Sequence, residues 1–281
     1  MVAVSIKEMI DAGVHFGHRS KYWNPKMQPY IYTTHKKLHI INLEKSSECF
    51  QHACKYIEEL ISNNGTIMFI GTKRAASGIV QKYADETSMP YVNNRWLGGL
   101  LTNFNTVKQS IAKLEDLRNR YKNQKIFNFT KKQAIDLKRN IERLEKNLLG
   151  VQNLNKLPDA LFVIDTRYER IAIQEANKLN IPVIALVDSN NSFDGVDYMI
   201  PANDDAMSSI DLFMSAVAKI IMNSKSKITA KTKTDQKDDK QSIKSKKIVK
   251  ADNVKKVSDS NKTKNQSVKK TVNEKKVKKD D

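Results

Sequence analysis

The sequence predicts an α/β fold: a three-layer α/β/α sandwich around a parallel, doubly wound sheet, with an inserted two-helix coiled-coil hairpin and a disordered basic C-terminal tail. Three observations carry this reading. Short apolar runs such as Thr66–Ile70, Ala160–Asp165 and Pro182–Asp188 alternate with segments of helical period, the pattern of a parallel sheet covered on both faces. Residues 106–150 interrupt that rhythm with two apolar ladders and no strand pattern. Residues 224–281 contain no aromatic residue, no cysteine and no glycine, but 20 Lys against 8 Asp plus Glu.

The elements follow in order. Ser5-Ile6-Lys7-Glu8 is a capping box that opens a short helix, which Gly13 can end. A polar, aromatic stretch runs from His15 to Tyr32, and Leu38–Leu43 reads as a strand. Phe50, Ala53, Cys54, Ile57, Leu60 and Ile61 recur at helical spacing, and Asn63-Asn64-Gly65 closes that helix. Thr66–Ile70 is a buried strand running into Gly71-Thr72-Lys73-Arg74 and a further helix. Pro90-Tyr91-Val92 leads into a glycine-containing segment, Asn93–Phe104. A helix over Glu169–Leu179 separates the strands Ala160–Asp165 and Pro182–Asp188. A short strand at Tyr198–Ile200 then precedes a helix through Met207–Met222. Right-handed crossovers make a doubly wound sandwich of residues 1–105 and 151–223.

The insertion is read from its spacing. Val107, Ile111, Leu114, Leu117 and Tyr121, then Leu137, Ile141, Leu144 and Leu148, step by three and four residues. That is the seam of a two-helix coiled coil. Thr130-Lys131-Lys132-Gln133 is a capping box for the second helix. Helices of about 17 residues would reach roughly 25 Å, so a projecting antiparallel hairpin is expected over residues 106–150.

Charge narrows the function. Of the formal net charge of +18, the lysine excess of residues 224–281 accounts for +12 and residues 1–223 for +6. The tail is too polar to offset its chain entropy and is expected to be disordered. Such a balance favours a polyanionic partner, nucleic acid before membrane. No apolar run has the length of a bilayer span, and the N-terminus shows no secretory signal pattern. Cys49 and Cys54 would point about 140° apart on one helix, which argues against a bridge and fits a reducing compartment; a cytoplasmic location is expected, or an organellar matrix if the chain is organelle-encoded.

Several segments are candidate sites. Asn93, Asn94, Arg95, Thr102 and Asn103 surround Trp96 with hydrogen-bonding groups, while Gly98 and Gly99 permit close approach or positive φ. This chemistry suits folded RNA, and the bland alternative is a loop whose Trp96 fills the core. Arg19, Lys21, Tyr22, Trp23, Asn24, Pro25 and Lys26 interleave cations with aromatics, the mix that joins phosphate contact to stacking. Gly71-Thr72-Lys73-Arg74 lies where mononucleotide folds bind phosphate but is not a Walker loop, so Lys73 and Arg74 are read as contacts to nucleic-acid phosphate. His15-x-x-His18 and His35-x-x-x-His39 have metal-compatible spacing without a nearby cysteine, and are read as packing and hydrogen-bonding residues. Asp165, Asp188, Asp204 and Asp205 could suggest a Mg²⁺ site. No nucleophile accompanies them, and Asp204 and Asp205 are read as capping the last helix. No catalytic residue, metal or cofactor is assigned. A nucleotide- or sugar-phosphate-binding α/β enzyme with a basic tail is the rival reading.

Six collinear motifs carry a resemblance. Gly13-Val14-His15-Phe16-Gly17-His18-Arg19, Trp23-Asn24-Pro25-Lys26-Met27, Phe69-Ile70-Gly71-Thr72-Lys73-Arg74, Arg95–Phe104, Leu157–Asp165 and Ile200–Ala206 are similar to those of the small-subunit ribosomal protein two family, in its bacterial form. The resemblance spans Ile6 to Met222 and implies the same sandwich with a coiled-coil protrusion. It also implies a non-enzymatic, ribosome-bound role. Members bind small-subunit rRNA between head and body and help dock ribosomal protein one. Arg19, Lys21, Trp23, Lys26, Lys73, Arg74, Arg95, Trp96 and Asn103 are the candidate RNA contacts. Deleting residues 224–281 should weaken RNA binding and flatten its salt dependence, since counterion release scales with the phosphates neutralised. An unchanged salt slope after truncation would make the tail a bystander.

Overall fold

A computed structural model of the chain describes residues 4–123 and 130–227. The chain divides into a unit of residues 1–225 and a second of residues 226–281, which lies almost wholly outside the described residues. The disorder expected of the tail falls there too.

Five parallel strands form the central sheet in the order β5-β4-β6-β7-β8. They are β4 (Ile67–Ile70), β5 (Tyr91–Val92), β6 (Ala160–Ile164), β7 (Val183–Val187) and β8 (Tyr198–Pro201). Each of β4, β6 and β7 is buried at every position, so it cannot show polar alternation. Successive side chains instead enter two separate cores. Ile67, Phe69, Phe162 and Ile164 join one cluster with Phe50, Ile57, Val80 and Phe213. Met68, Ile70, Leu161 and Val163 join the other with Trp96, Leu101, Ala172 and Ala176. The two cores are the two interlayer spaces of a sandwich. The first is covered by α1 (Ile6–Asp11), α2 (Leu43–Ser62), α3 (Arg74–Thr87) and α7 (residues 207–227). The second is covered by α6 (Arg170–Lys178) and the Trp96–Leu101 segment. Strand order reverses between β4 and β6, which puts a topological switch point at their C-terminal ends.

Both expected capping boxes are present, at Ser5/Glu8 and at Thr130/Gln133. Helices α4 (Phe104–Lys122) and α5 (Lys131–Leu148) pack on each other, with Arg118 Nε 2.7 Å from Glu145 Oε1 between them. Along their shared seam Val107, Ile111, Leu114, Ile141 and Leu148 are buried, while Leu117, Tyr121 and Leu137 are only half-buried. Helix α7 continues past Ser224 to Lys227, and the Lys225 Nζ donates to the Thr87 carbonyl at 2.6 Å. No helix among the described residues is long and apolar enough to cross a membrane.

One region departs from the sequence reading. The strand expected at Leu38–Leu43 ends at Ile41 and lies outside the parallel sheet. It is β3 (Leu38–Ile41), the middle strand of a small antiparallel sheet with β1 (Phe16–Arg19) and β2 (Ile31–His35). Leu43 already begins α2, because the Asn42 side chain accepts from the Glu44 and Lys45 amides and caps it. The small sheet is tied to the end of β7: Asn24 N donates to Ser189 O and His18 N to Ser189 Oγ, both at 2.8 Å. Gly17 makes that approach possible, since a Cβ there would lie 2.7 Å from Ser189 Oγ.

Candidate nucleic-acid interface

Within the segment from Asn93 to Phe104, residues Trp96 to Thr102 are wound around a single carboxylate. Glu175 projects from the buried face of α6, beside Ala172, Ile173 and Ala176. Its Oε1 accepts from Trp96 Nε1 at 3.1 Å and Gly99 N at 2.8 Å. Its Oε2 accepts from Leu101 N at 3.0 Å and from Thr102 N and Oγ1, each at 3.2 Å. Burial pushes this carboxyl upward, but the bonds from Trp96, Gly99, Thr102 and Leu101 outweigh it and hold the pKa below the ordinary glutamate value. Gly99 takes φ +85°, which lets consecutive amides turn toward one anion.

Of the two readings of the Trp96 segment, this geometry favours the core one: Trp96 is 7 % exposed and makes a buried hydrogen bond. Its neighbours Arg95 and Asn103 are exposed on the outside of the same loop.

A second buried network sits at the switch point. Lys73, the N-cap residue of α3, turns inward. Its Nζ lies 2.7 Å from Asp204 Oδ1 and 3.3 Å from Asp165 Oδ2, and it also pairs with Asp205. Burial works against the ammonium, but Asp204, Asp205 and Asp165 prevail and raise its pKa. Lys73 therefore spends its charge inside the protein, which corrects its reading as a surface phosphate contact. Its neighbour Arg74 is exposed. Asp204 is fully buried, and burial together with Asp165 and Asp188 raises its carboxyl despite Lys73. Asp204 and Asp205 lie in the turn before the last helix, where Asn203 Oδ1 accepts from the Asp205 and Ala206 amides, and their carboxylates pair with Lys73 instead of capping that helix. Glu169 binds Thr72 N at 2.7 Å and Thr72 Oγ1 at 2.6 Å, which pins the turn after β4.

His18 closes the cluster from the small sheet. Its Nδ1 lies 2.9 Å from Asp188 Oδ2 and its Nε2 3.1 Å from Asp205 Oδ2. The hydrogen bond to Asp188 raises its pKa against the effect of burial. His18, Asp188, Asp204 and Asp205 bring ligand-type atoms within 4.8 Å of one another, a donor set able to hold a divalent cation. Here those oxygens are taken by His18 and Lys73.

The remaining candidates lie outside these networks. Arg19 and Lys21 are exposed, and Trp23 is half-buried with its ring 5.3 Å from that of His39. Lys26 is exposed and pairs with Asp194 at 2.6 Å. Arg19, Lys21, Arg74 and Arg95 make no ion pair among the described residues. Sequence reasoning missed Glu175 and Glu169. A glutamate on the apolar face of α6 was the available signal, because a buried carboxylate requires donors.

An α/β scaffold whose rim carboxylates are already satisfied by its own loops, with arginines left outside, defines a binding protein more readily than an enzyme. Comparison with known proteins agrees. A family model described as ribosomal protein S2 matches residues 9–224. The small ribosomal subunit protein uS2 of Pseudoalteromonas translucida (strain TAC 125) is 50% identical over 221 residues, covering 79% of this chain and 91% of that protein. The protein of the same name from Coxiella burnetii (strain RSA 493 / Nine Mile phase I) is 45% identical over 246 residues, covering 87% and 79% respectively. The chain belongs to the ribosomal protein S2 family. It is a structural ribosomal protein and not an enzyme, which sets aside the nucleotide- or sugar-phosphate-enzyme reading.

Replacing Glu175 by Gln should lower unfolding stability by about 2–4 kcal/mol at neutral pH, since hydrogen bonds to a charged group contribute about 1.5–3 kcal/mol each. The wild-type advantage is complete above the unperturbed glutamate value of 4.5 and is lost as pH falls through the depressed native value. Denaturant unfolding from pH 3 to pH 7 checks this. A constant gap between the two proteins would contradict it.

Proposed function

We propose that the chain serves as a structural constituent of the small ribosomal subunit, in the cytoplasm, and acts there by binding small-subunit rRNA. Membership of the ribosomal protein S2 family supports the ribosomal setting. The observation that carries the RNA contact is the division of cations: Lys73 is neutralised inside, whereas Arg19, Lys21, Arg74 and Arg95 face outward without an ion pair among the described residues. Their guanidinium and ammonium groups fit phosphate, and the exposed Asn103 fits a sugar hydroxyl or base edge. Trp23 and Lys26 extend this surface, while Trp96 and Lys73 serve it from within by fixing loop and turn.

Placement between head and body, and assistance in docking ribosomal protein one, belong to the same proposal. So does a coiled-coil hairpin of α4 and α5. Its seam has the 3.5-residue period, and burial along it fades from Val107 toward Tyr121, as for a hairpin whose tip leaves the body.

Replacing Arg19, Arg74 and Arg95 together by Gln should leave the fold intact and weaken binding to small-subunit rRNA. The salt dependence should become shallower by about two to three units in log–log slope, close to one per lost phosphate contact. Affinity and slope equal to wild type would overturn these assignments.

A further inference from the structure

Charge is unevenly divided over residues 1–223. Residues 106–150 hold 12 Lys plus Arg against 5 Asp plus Glu, a net of +7, whereas residues 1–105 and 151–223 together come to −1. The sandwich is close to neutral, and the inserted helices supply the whole excess.

On α5 that excess is sorted onto one side. Lys132, Arg139, Arg143 and Lys146 are spaced by seven, four and three residues. With 3.6 residues per turn they fall within an arc of about 60° and form a stripe about 21 Å long. The seam residues Leu137, Ile141, Leu144 and Leu148 occupy an equal arc about 160° away, so the stripe faces outward. All four cations are exposed, and none makes an ion pair among the described residues. Two acids of α5 are engaged elsewhere: Glu145 pairs with Arg118 at 2.7 Å, and Glu142 faces Lys138 at 3.8 Å. Asp136, at the edge of the stripe, leaves that face at about +3. The stripe is also anchored. Asn147, next to Lys146, accepts from Asn94 Nδ2 at 2.6 Å through its Oδ1, which ties α5 to the loop carrying Arg95.

What the stripe can hold follows from its shape. Its cations are strung along a line and do not converge on a pocket, as a small anion would require. Helix α5 has no aromatic residue, so it offers unpaired bases nothing to stack on. A protein partner would call for an apolar anchor at the centre of the contact. The exposed apolar side chain of α5, Ile135, lies instead at the margin of the stripe. A line of cations with two guanidinium groups at its middle fits a row of phosphates. Duplex RNA presents such rows and is held mostly by its backbone and shape.

We infer that the outer face of α5 is a second rRNA-binding surface, laid along the phosphate backbone of a duplex segment and gripping it through Lys132, Arg139, Arg143 and Lys146. The inference rests on the rRNA-binding reading above and adds to the loop cations a sequence-independent contact on the inserted helices.

Hydroxyl-radical cleavage of the rRNA backbone tests this on small subunits assembled with the full chain. Four particles are compared: wild type; Lys132→Gln, Arg139→Gln, Arg143→Gln and Lys146→Gln together; Arg19→Gln, Arg74→Gln and Arg95→Gln together; and particles without the protein. Occupancy is measured by quantitative mass spectrometry. The wild-type chain should protect a stretch of duplex backbone that is cleaved in its absence. The stripe variant should lose that protection and keep those that the loop variant loses. On purified small-subunit rRNA, its log–log salt slope should fall by about three to four units, near one per lost phosphate contact. Lys132→Gln with Arg139→Gln, and Arg143→Gln with Lys146→Gln, should each give about half that fall, which separates lost contacts from a fold defect in the fourfold variant. Protection lost from an unpaired loop in place of a duplex would overturn the duplex assignment. An unchanged footprint and slope in fully occupied particles would mean that the stripe faces solvent or an acidic protein, ending the inference and leaving the rRNA-binding reading in place. No protection anywhere by the wild-type chain would end both.

Discussion

One buried carboxylate organises the surface on which the rest of this account depends. Glu175 collects four N–H donors and a hydroxyl from a stretch of seven residues, Trp96 to Thr102, and so converts a glycine-containing loop into a fixed shape. The same contacts draw Trp96 and Leu101 into the core under the loop, leaving Arg95 and Asn103 outside. Because the anion is buried, the alternative to this arrangement is an unpaired charge in an apolar layer. The loop is therefore held by the chain's own contacts, and under the proposed RNA contact the entropy of ordering it would not be charged against binding.

The switch point of the sheet follows the same logic. In many doubly wound proteins, strand ends at this position present catalytic or phosphate-binding groups. Here Lys73 joins β4 to three aspartates, Glu169 grips Thr72, and His18 bridges Asp188 and Asp205 across the junction between the two sheets. These contacts turn a mononucleotide-type scaffold into a rigid support. Membership of a ribosomal protein family fits such a support, since a platform for folded RNA needs shape and charge more than reactivity.

What could be read from the sequence, and what could not, divides on physical grounds. Strands β4, β6 and β7 stood out because full burial makes them uninterrupted apolar runs, and both capping boxes are local patterns. The antiparallel sheet was hidden. Tyr32 to His35 of β2 are all exposed, and the β2–β3 turn is made by Lys36 and Lys37 at φ 49° and 67°, without the glycine or asparagine that marks such turns. The inward turn of Trp96 was also illegible, because the acceptor that fixes it lies 79 residues away. For Lys73 the deciding neighbours, Asp165 and Asp204, are 92 and 131 residues distant. Charge and spacing mark a residue as able to meet RNA, whereas long-range partners decide whether it is free to do so.

The central claim is that satisfied interior networks leave a specific outward set of cations to grip rRNA. Ultraviolet cross-linking of intact small subunits, followed by peptide mass spectrometry, tests it most directly. Cross-linked nucleotides are expected on peptides carrying Arg19 to Lys26, Arg74, and Arg95 with Asn103. Fully occupied particles whose cross-links avoid all three peptides would contradict the account.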